Sequence, residues 1–134
     1  MALHTSNLRN AIYTRLTSDA TLMALITGVY DDVPEITSYP YVVLGDDSDI
    51  NYGTKTLDGV QYVINIHAWS RYRGVKEATE ILERIYYLLH EYAIVVTGAS
   101  AVHIRQEFNT VLTDDDGITR HGIIRFRVVI FDNN

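Results

Sequence analysis

Apolar residues recur along this chain with two periods, and the switches between them mark out its elements. In residues 75–92, Val75, Ala78, Leu82, Ile85, Leu89 and Tyr92 follow a three-four spacing, widened by Ile81 and Leu88. That spacing predicts a helix with one apolar face. Lys76, Glu80, Arg84, Tyr87 and Glu91 form its opposite face, with Glu80 four residues before Arg84, the supportive order. Gly74 is read as its N-cap, with Glu77 at the third helical position. Leu8, Ala11, Ile12 and Leu16 predict a second helix over residues 6–17, capped by Thr5 or Ser6. Ser18-Asp19 reads as a further N-cap, opening a short helix through Leu22, Leu25 and Ile26 that Gly28 ends.

Elsewhere the period falls to two. Val60, Tyr62, Ile64, Ile66 and Ala68 alternate with Gln61, Asn65 and His67, which predicts a half-buried strand over residues 60–69. In residues 101–112, Val102, Ile104, Phe108 and Leu112 are assigned to one face, and His103, Arg105, Glu107 and Asn109 to the other. Ile124, Phe126, Val128 and Ile130 oppose Arg125 and Arg127 in a last strand over residues 123–131. Residues 40–44 form a strand that Pro40 can start, and residues 94–97 suggest one more short strand. Two polar stretches lack an apolar period. Residues 45–59, GDDSDINYGTKTLDG, and residues 113–122, TDDDGITRHG, read as flexible connections, the second a hairpin with Asp116-Gly117 at its tight turn.

The order helix, short helix, strand, strand, long helix, strand, strand predicts one α+β domain spanning residues 1–134. Its mostly antiparallel sheet carries one long and one or two shorter helices on one face, and leaves the other face solvated. The expected core contains Leu82, Ile85, Leu89, Ile64, Ile66, Ile104, Phe108, Phe126 and Val128, with Tyr62 and Tyr92 also buried.

Charge and composition narrow the function. The net charge is -6, against the basic balance of a protein that holds DNA by its phosphates. Cysteine is absent, which excludes disulfides, thiolate zinc sites and a cysteine nucleophile. No apolar run is long enough to span a membrane, and the first residues lack the pattern of a signal peptide, so assembly in the cytoplasm is expected.

Candidate chemistry is sparse. Asp114, Asp115 and Asp116 invite a calcium reading, but they are contiguous, and Arg125 stands where an EF-hand loop needs glutamate. Asp47 and Asp49 alternate with nothing nearby to complete a site. His103 and Glu107 on a strand lie about 13 Å apart in rise, too far to share a metal. His67 and His121 read as solvated residues on a polar face. The sequence holds no G-x-S-x-G, Walker loop, H-E-x-x-H or G-x-G-x-x-G motif. No catalytic residue, metal or cofactor is therefore expected. Tyrosine is over-used, with ten against three Phe and one Trp, and it suits surfaces that meet partners. Tyr52, Tyr72 and Tyr87 are the exposed candidates.

Three stretches together carry a resemblance. Residues 16–30, LTSDATLMALITGVY, precede the Pro40-Tyr41-Val42-Val43 strand. Residues 63–74, VINIHAWSRYRG, run into Glu77-Ala78 and the long helix. The acidic turn Asp114-Asp115-Asp116-Gly117 precedes an Ile-rich final strand. In this order they resemble the tail-completion, or tail-to-head joining, proteins of long noncontractile-tailed bacteriophages. The resemblance implies a non-enzymatic virion protein at the head-proximal end of the tail tube. It would end tube polymerisation and dock the filled head, as a sixfold ring on the tail; because the tube end supplies a template, the free protein is expected as a monomer. The implied partners are other copies of the chain, the tail tube protein and a head completion or connector protein, with DNA passing through unbound and no membrane. A ring of one chain needs two different patches per subunit. The polar stretches supply Asp46, Asp47, Asp49, Tyr52, Lys55, Asp114, Asp115, Asp116 and Arg120 as interface candidates, joined by Tyr72, Arg73 and Tyr87. The competing reading is a small cytosolic enzyme or adaptor with the same helix-on-sheet layout, because a fold alone does not set a function.

Overall fold

The computed structural model describes residues 4–35, 37–53 and 58–132. Helices α1 (Thr5–Thr17) and α2 (Ala20–Leu25) lead into β1 (Val29–Tyr30), β2 (Tyr41–Asn51) and β3 (Gly59–Ser70). Helix α3 (Lys76–Leu89) then precedes β4 (Ala99–Thr113) and β5 (Arg120–Asp132). The strands form one sheet in the order β1-β2-β3-β5-β4. Only the two-residue β1 runs parallel to its neighbour; the other three pairings are antiparallel. The fold is thus α+β, and no helix among the described residues is long and apolar enough to cross a membrane.

The periodicity places the core. Ala78, Ile81, Leu82, Ile85, Leu88 and Leu89 of α3 are buried against inward rows that include Ile64 and Ile66 of β3, and Ile124, Phe126 and Val128 of β5. Each large aliphatic side chain so buried contributes roughly 1.5–3 kcal/mol before the entropy of ordering is counted. Leu8, Ile12 and Leu16 of α1 and Leu22 of α2 complete the cluster. Gly122 lies where α3 meets the sheet most closely, since a Cβ there would come within 3.1 Å of Leu82. Asp19 caps α2 by accepting from Leu22 N at 2.8 Å. The same carboxylate takes the Arg84 guanidinium as a fork, Nε at 2.8 Å and Nη2 at 2.7 Å. That bond, the largest cause, holds the Asp19 carboxyl at about 2. Arg84 therefore ties α3 to α2, and Glu80 meets Lys76 instead.

Several expectations are corrected. Phe108 is 44% exposed and Leu112 is also exposed. The β4–β5 register shifts between Gln106 and Phe108, and the extra residue turns every later side chain to the opposite face. Val75 is exposed just before α3, and Tyr92, 39% exposed, lies beyond its end. Residues 45–51, read as loop, belong to β2 and pair with β3 through a second bulge between Leu44 and Asp47. Their side chains are polar apart from Gly45 and the exposed Ile50, but strand pairing needs only main-chain groups. Ile94 and Val96 are buried without forming a strand. His4 and Val75, not Thr5, Ser6 or Gly74, occupy the N-cap positions of α1 and α3. Glu77 accepts from the Ser70 hydroxyl at 2.7 Å. Helix α2 stops at Leu25, and Gly28 instead offers its carbonyl to Val42 N at 3.1 Å.

Candidate functional site

Helices cover one face of the sheet, so the residues free to meet a partner lie on its other face, its edges and its two ends. One end is built from the close of β3, the connection before α3 and the β4–β5 turn. The turn spans residues 114–119 and is tightly tied. Asp116 Oδ1 accepts from Ile118 N at 2.9 Å and Thr119 N at 2.8 Å, and Oδ2 accepts from the Thr119 hydroxyl at 2.6 Å. These bonds, the Thr119 hydroxyl first, lower the Asp116 pKa to about 2. Asp114 and Thr119 close the loop with a main-chain bond of 2.9 Å, and Gly117 takes a positive φ of 71°. A short aspartate-glycine turn uses both residues for these purposes.

Against this turn lies the connection carrying Arg71, Tyr72 and Arg73. Arg71 donates from Nε to Thr119 Oγ1 at 3.2 Å and stacks over the Tyr39 ring. Arg120 anchors Nη1 on the carbonyls of Gly117 and Ile118. Arg71, Arg73, Gly117, Ile118 and Arg120 line a pocket of about 440 Å³.

Beside this end the uncovered face carries a stack that the sequence reading missed. The Trp69 ring lies flat on His121 at 3.8 Å, and His121 in turn stacks on His67 at 4.9 Å. The two histidines share a hydrogen bond of 2.7 Å between His67 Nδ1 and His121 Nε2. Burial is the main cause lowering both histidine pKa values. Asp46 opposes it at His67; at His121, His67 adds to the lowering and Asp114 opposes it. His67 and His121 are thus half-buried partners, not independently solvated residues. The β3–β5 register sets Trp69 opposite His121, a pairing that the sequence alone does not mark.

The predicted residues fall in four places. Tyr72, Arg73, Asp114, Asp115, Asp116 and Arg120 gather at the end just described. Asp49 and Tyr52 lie toward the opposite end, where Tyr52 N donates to Gly59 O at 2.9 Å and its ring approaches Phe131. Asp46 and Asp47 sit at the β2 bulge. There Arg9 reaches from α1 to Gly45 O at 2.7 Å, Leu44 O at 3.0 Å, Asp47 at 3.1 Å and Asp31. Tyr87 projects from α3 beneath the Arg84 guanidinium. Lys55 lies outside the described residues.

A second buried arrangement escaped the sequence reading. His4, 4% exposed, donates its main-chain N–H to the Tyr62 hydroxyl at 2.7 Å and bonds Asp132 through Nε2. It joins the start of α1 to the end of β5. Without solvent access this histidine–aspartate pair is a structural tie.

Residues 10–130 match the family model described as tail completion protein gp17. The chain belongs to the phage tail completion family. The tail completion protein gp17 of Bacillus phage SPP1 is 32% identical over 126 residues, covering 94% of this chain and 93% of the relative. A solved structure of SPP1 gp17 superposes with a TM-score of 0.65 at 28% identity, covering 100% of this chain and 97% of that one. A chain in the virion of a native gene transfer agent particle superposes more closely, with a TM-score of 0.88. It covers 98% of this chain and 99% of that one at 22% identity, a likeness of fold. This is a family of phage structural proteins, which places the chain among virion components.

Proposed function

We propose that this chain caps the head-proximal end of the tail tube, ends tail polymerisation and joins the tail to the DNA-filled head. It acts as a ring of identical subunits, expected to be six, assembled on the tube end from free monomers. Family membership across residues 10–130 carries this reading. The fold supports it. A closed ring of one chain uses two unlike patches on each subunit. The sheet offers unlike ends, one with three arginines and the tied acidic turn, the other with Asp49 and Tyr52. Among the described residues, its 15-residue outer strand β4 is capped on its open side near its middle, where Glu91 N donates to Ile104 O and His90 accepts from Gln106 N. Many weak contacts around a templated ring hold together where one would not.

The test is a phage unable to make the protein. Heads should fill with DNA while tails stay unattached and irregular or excessive in length, and purified protein added to correctly sized tails should restore joining. Normal, infectious, tailed particles without it would end this reading.

A further inference from the structure

We infer that the pocket between the connection before α3 and the β4–β5 turn is a carboxylate-binding site, which receives an acidic side chain of a neighbouring virion protein. Three guanidiniums, of Arg71, Arg73 and Arg120, line it in a chain whose net charge is -6. Among the described residues, the six other arginines are paired or stacked elsewhere: Arg9, Arg84, Arg105 and Arg127 in ion pairs, Arg15 over Tyr92 and Arg125 over Phe108. Among the described residues none of the three pocket arginines has an ion-pair partner, although Arg71 bonds Thr119 and stacks over Tyr39. The turn's own acid makes no hydrogen bond to them, because Asp116 directs both oxygens to Ile118 and Thr119 and feels Arg71 only through its charge.

Arg120 is the sharpest sign. Its Nη1 rests on two carbonyls at 3.2 and 3.3 Å, the long end of the hydrogen-bond range. Its Nε is shielded from water and has no acceptor. The Nε–Nη2 edge of a guanidinium is a fork that fits the two oxygens of a carboxylate. Here that edge has no protein acceptor. An entering carboxylate would offset one of three like charges, and would make the missing bond once the Arg120 side chain turns its shielded Nε outward.

A nucleic-acid backbone fits less well. Phosphates along a duplex repeat across an open surface, whereas this site is concave and takes one group. Asp114 and Asp115 stand exposed on the same turn and would repel a polyanion lying across it. That the donor is a virion neighbour rests on the assembly role proposed above; that the pocket binds carboxylate does not.

Titration of the intact chain tests the pocket, with the arginine Nε–Hε resonances followed by NMR. The probes are an end-blocked triglutamate peptide, a short DNA duplex, and sodium chloride at matched ionic strength. The peptide should shift the Arg120 and Arg73 signals saturably, and the salt should not. Arg120→Gln should weaken the peptide about tenfold through loss of the bidentate bond. Arg73→Gln, at an exposed position outside the turn, should weaken it without touching the fold. Shifts that do not saturate, shifts that salt reproduces, or tighter binding of the duplex would overturn the site. In the phage lacking the protein, the native chain should restore joining and Arg73→Glu should not. Full rescue by Arg73→Glu would overturn the virion donor. Failure of the native chain to rescue would instead count against the assembly role, and leave the titration result standing.

Discussion

Asp47 and Asp116 both sit in aspartate-rich, glycine-bearing stretches, yet Asp47 meets a guanidinium and Asp116 meets main-chain amides. At the β2 bulge, Arg9 gathers Asp47, Asp31 and two carbonyls, so the guanidinium is fully engaged within the chain. At the β4–β5 turn, two main-chain amides and the Thr119 hydroxyl take the carboxylate, and the nearby arginines gain no hydrogen bond from it. Like compositions thus yield a closed surface in one place and an open one in the other. What decides is whether a cation or an amide reaches the acid first, and the fold sets that. The two stretches meet at one point, since Asp46 faces His67 and Asp114 faces His121.

The largest effect should come from breaking the closed site. Arg9→Ala leaves Asp47, Asp31 and two carbonyls without their partner, and should cost about 2–4 kcal/mol in urea unfolding. An unchanged midpoint would show that the bulge holds itself. Gly45→Ala should cost about 1–3 kcal/mol, because a methyl there would press within 2.7 Å of the Asn65 carbonyl and against the His67 ring. At the open site the matching change is milder. Gly117→Ala meets nothing within 4 Å, and only its positive φ resists, so about 1 kcal/mol is expected. Equal losses at the two glycines would erase the distinction between crowding and conformation.

A smaller, pH-linked effect probes the shared histidines. Both fold with pKa values below the ordinary 6.5, so below that pH the unfolded chain binds more protons. Stability from the neutral pair is complete above pH 6.5 and falls as pH drops from there through the lower folded values. Melting temperatures from pH 7.5 down to about 5 should show this decline. His121→Phe should flatten it. Asp46→Asn and Asp114→Asn should each steepen it, because each carboxylate holds up one histidine. The smallest effect is expected for Arg73→Gln, within about 0.5 kcal/mol of the parent, as suits an exposed side chain outside the core. A larger loss would mean that the pocket arginines support the fold.

The helices and three of the strands were legible because one face of each is dry, and a dry face leaves its period in the sequence. Ile81, Leu82 and Ile85 announce α3 in this way, as Ile64 and Ile66 announce β3. The period misleads where geometry adds a residue. Nothing in Glu107-Phe108 signals a bulge, so Phe108 and Leu112 were assigned inward, although they turn out and Phe108 meets the Arg125 guanidinium. The polar half of β2 was illegible because its pairing lies in the backbone and its acid is answered by Arg9, far away in sequence. Of the candidate surface, the residue types were legible but their grouping was not. Arg71 and Arg120 become neighbours only when β3 and β5 pair, and the Trp69–His121–His67 stack arises in the same register.

The Asp116 turn also bears on how fast the sheet forms. Bringing β4 and β5 together closes only the short 114–119 loop, whereas β3 must wait for the whole of α3 and β4 before it finds β5. Loop closure sets much of the barrier to such pairings, and a turn held by its own side chain lowers that barrier before any core is present. Asp116→Ala should therefore slow refolding in stopped-flow measurements while leaving the unfolding limb nearly unchanged. The carboxylate that pins the turn beside the pocket arginines would then also act as the pacemaker of the hairpin. The hairpin edge would then be exposed as an unpaired strand for less time during synthesis, which lowers the chance of wrong pairing between chains.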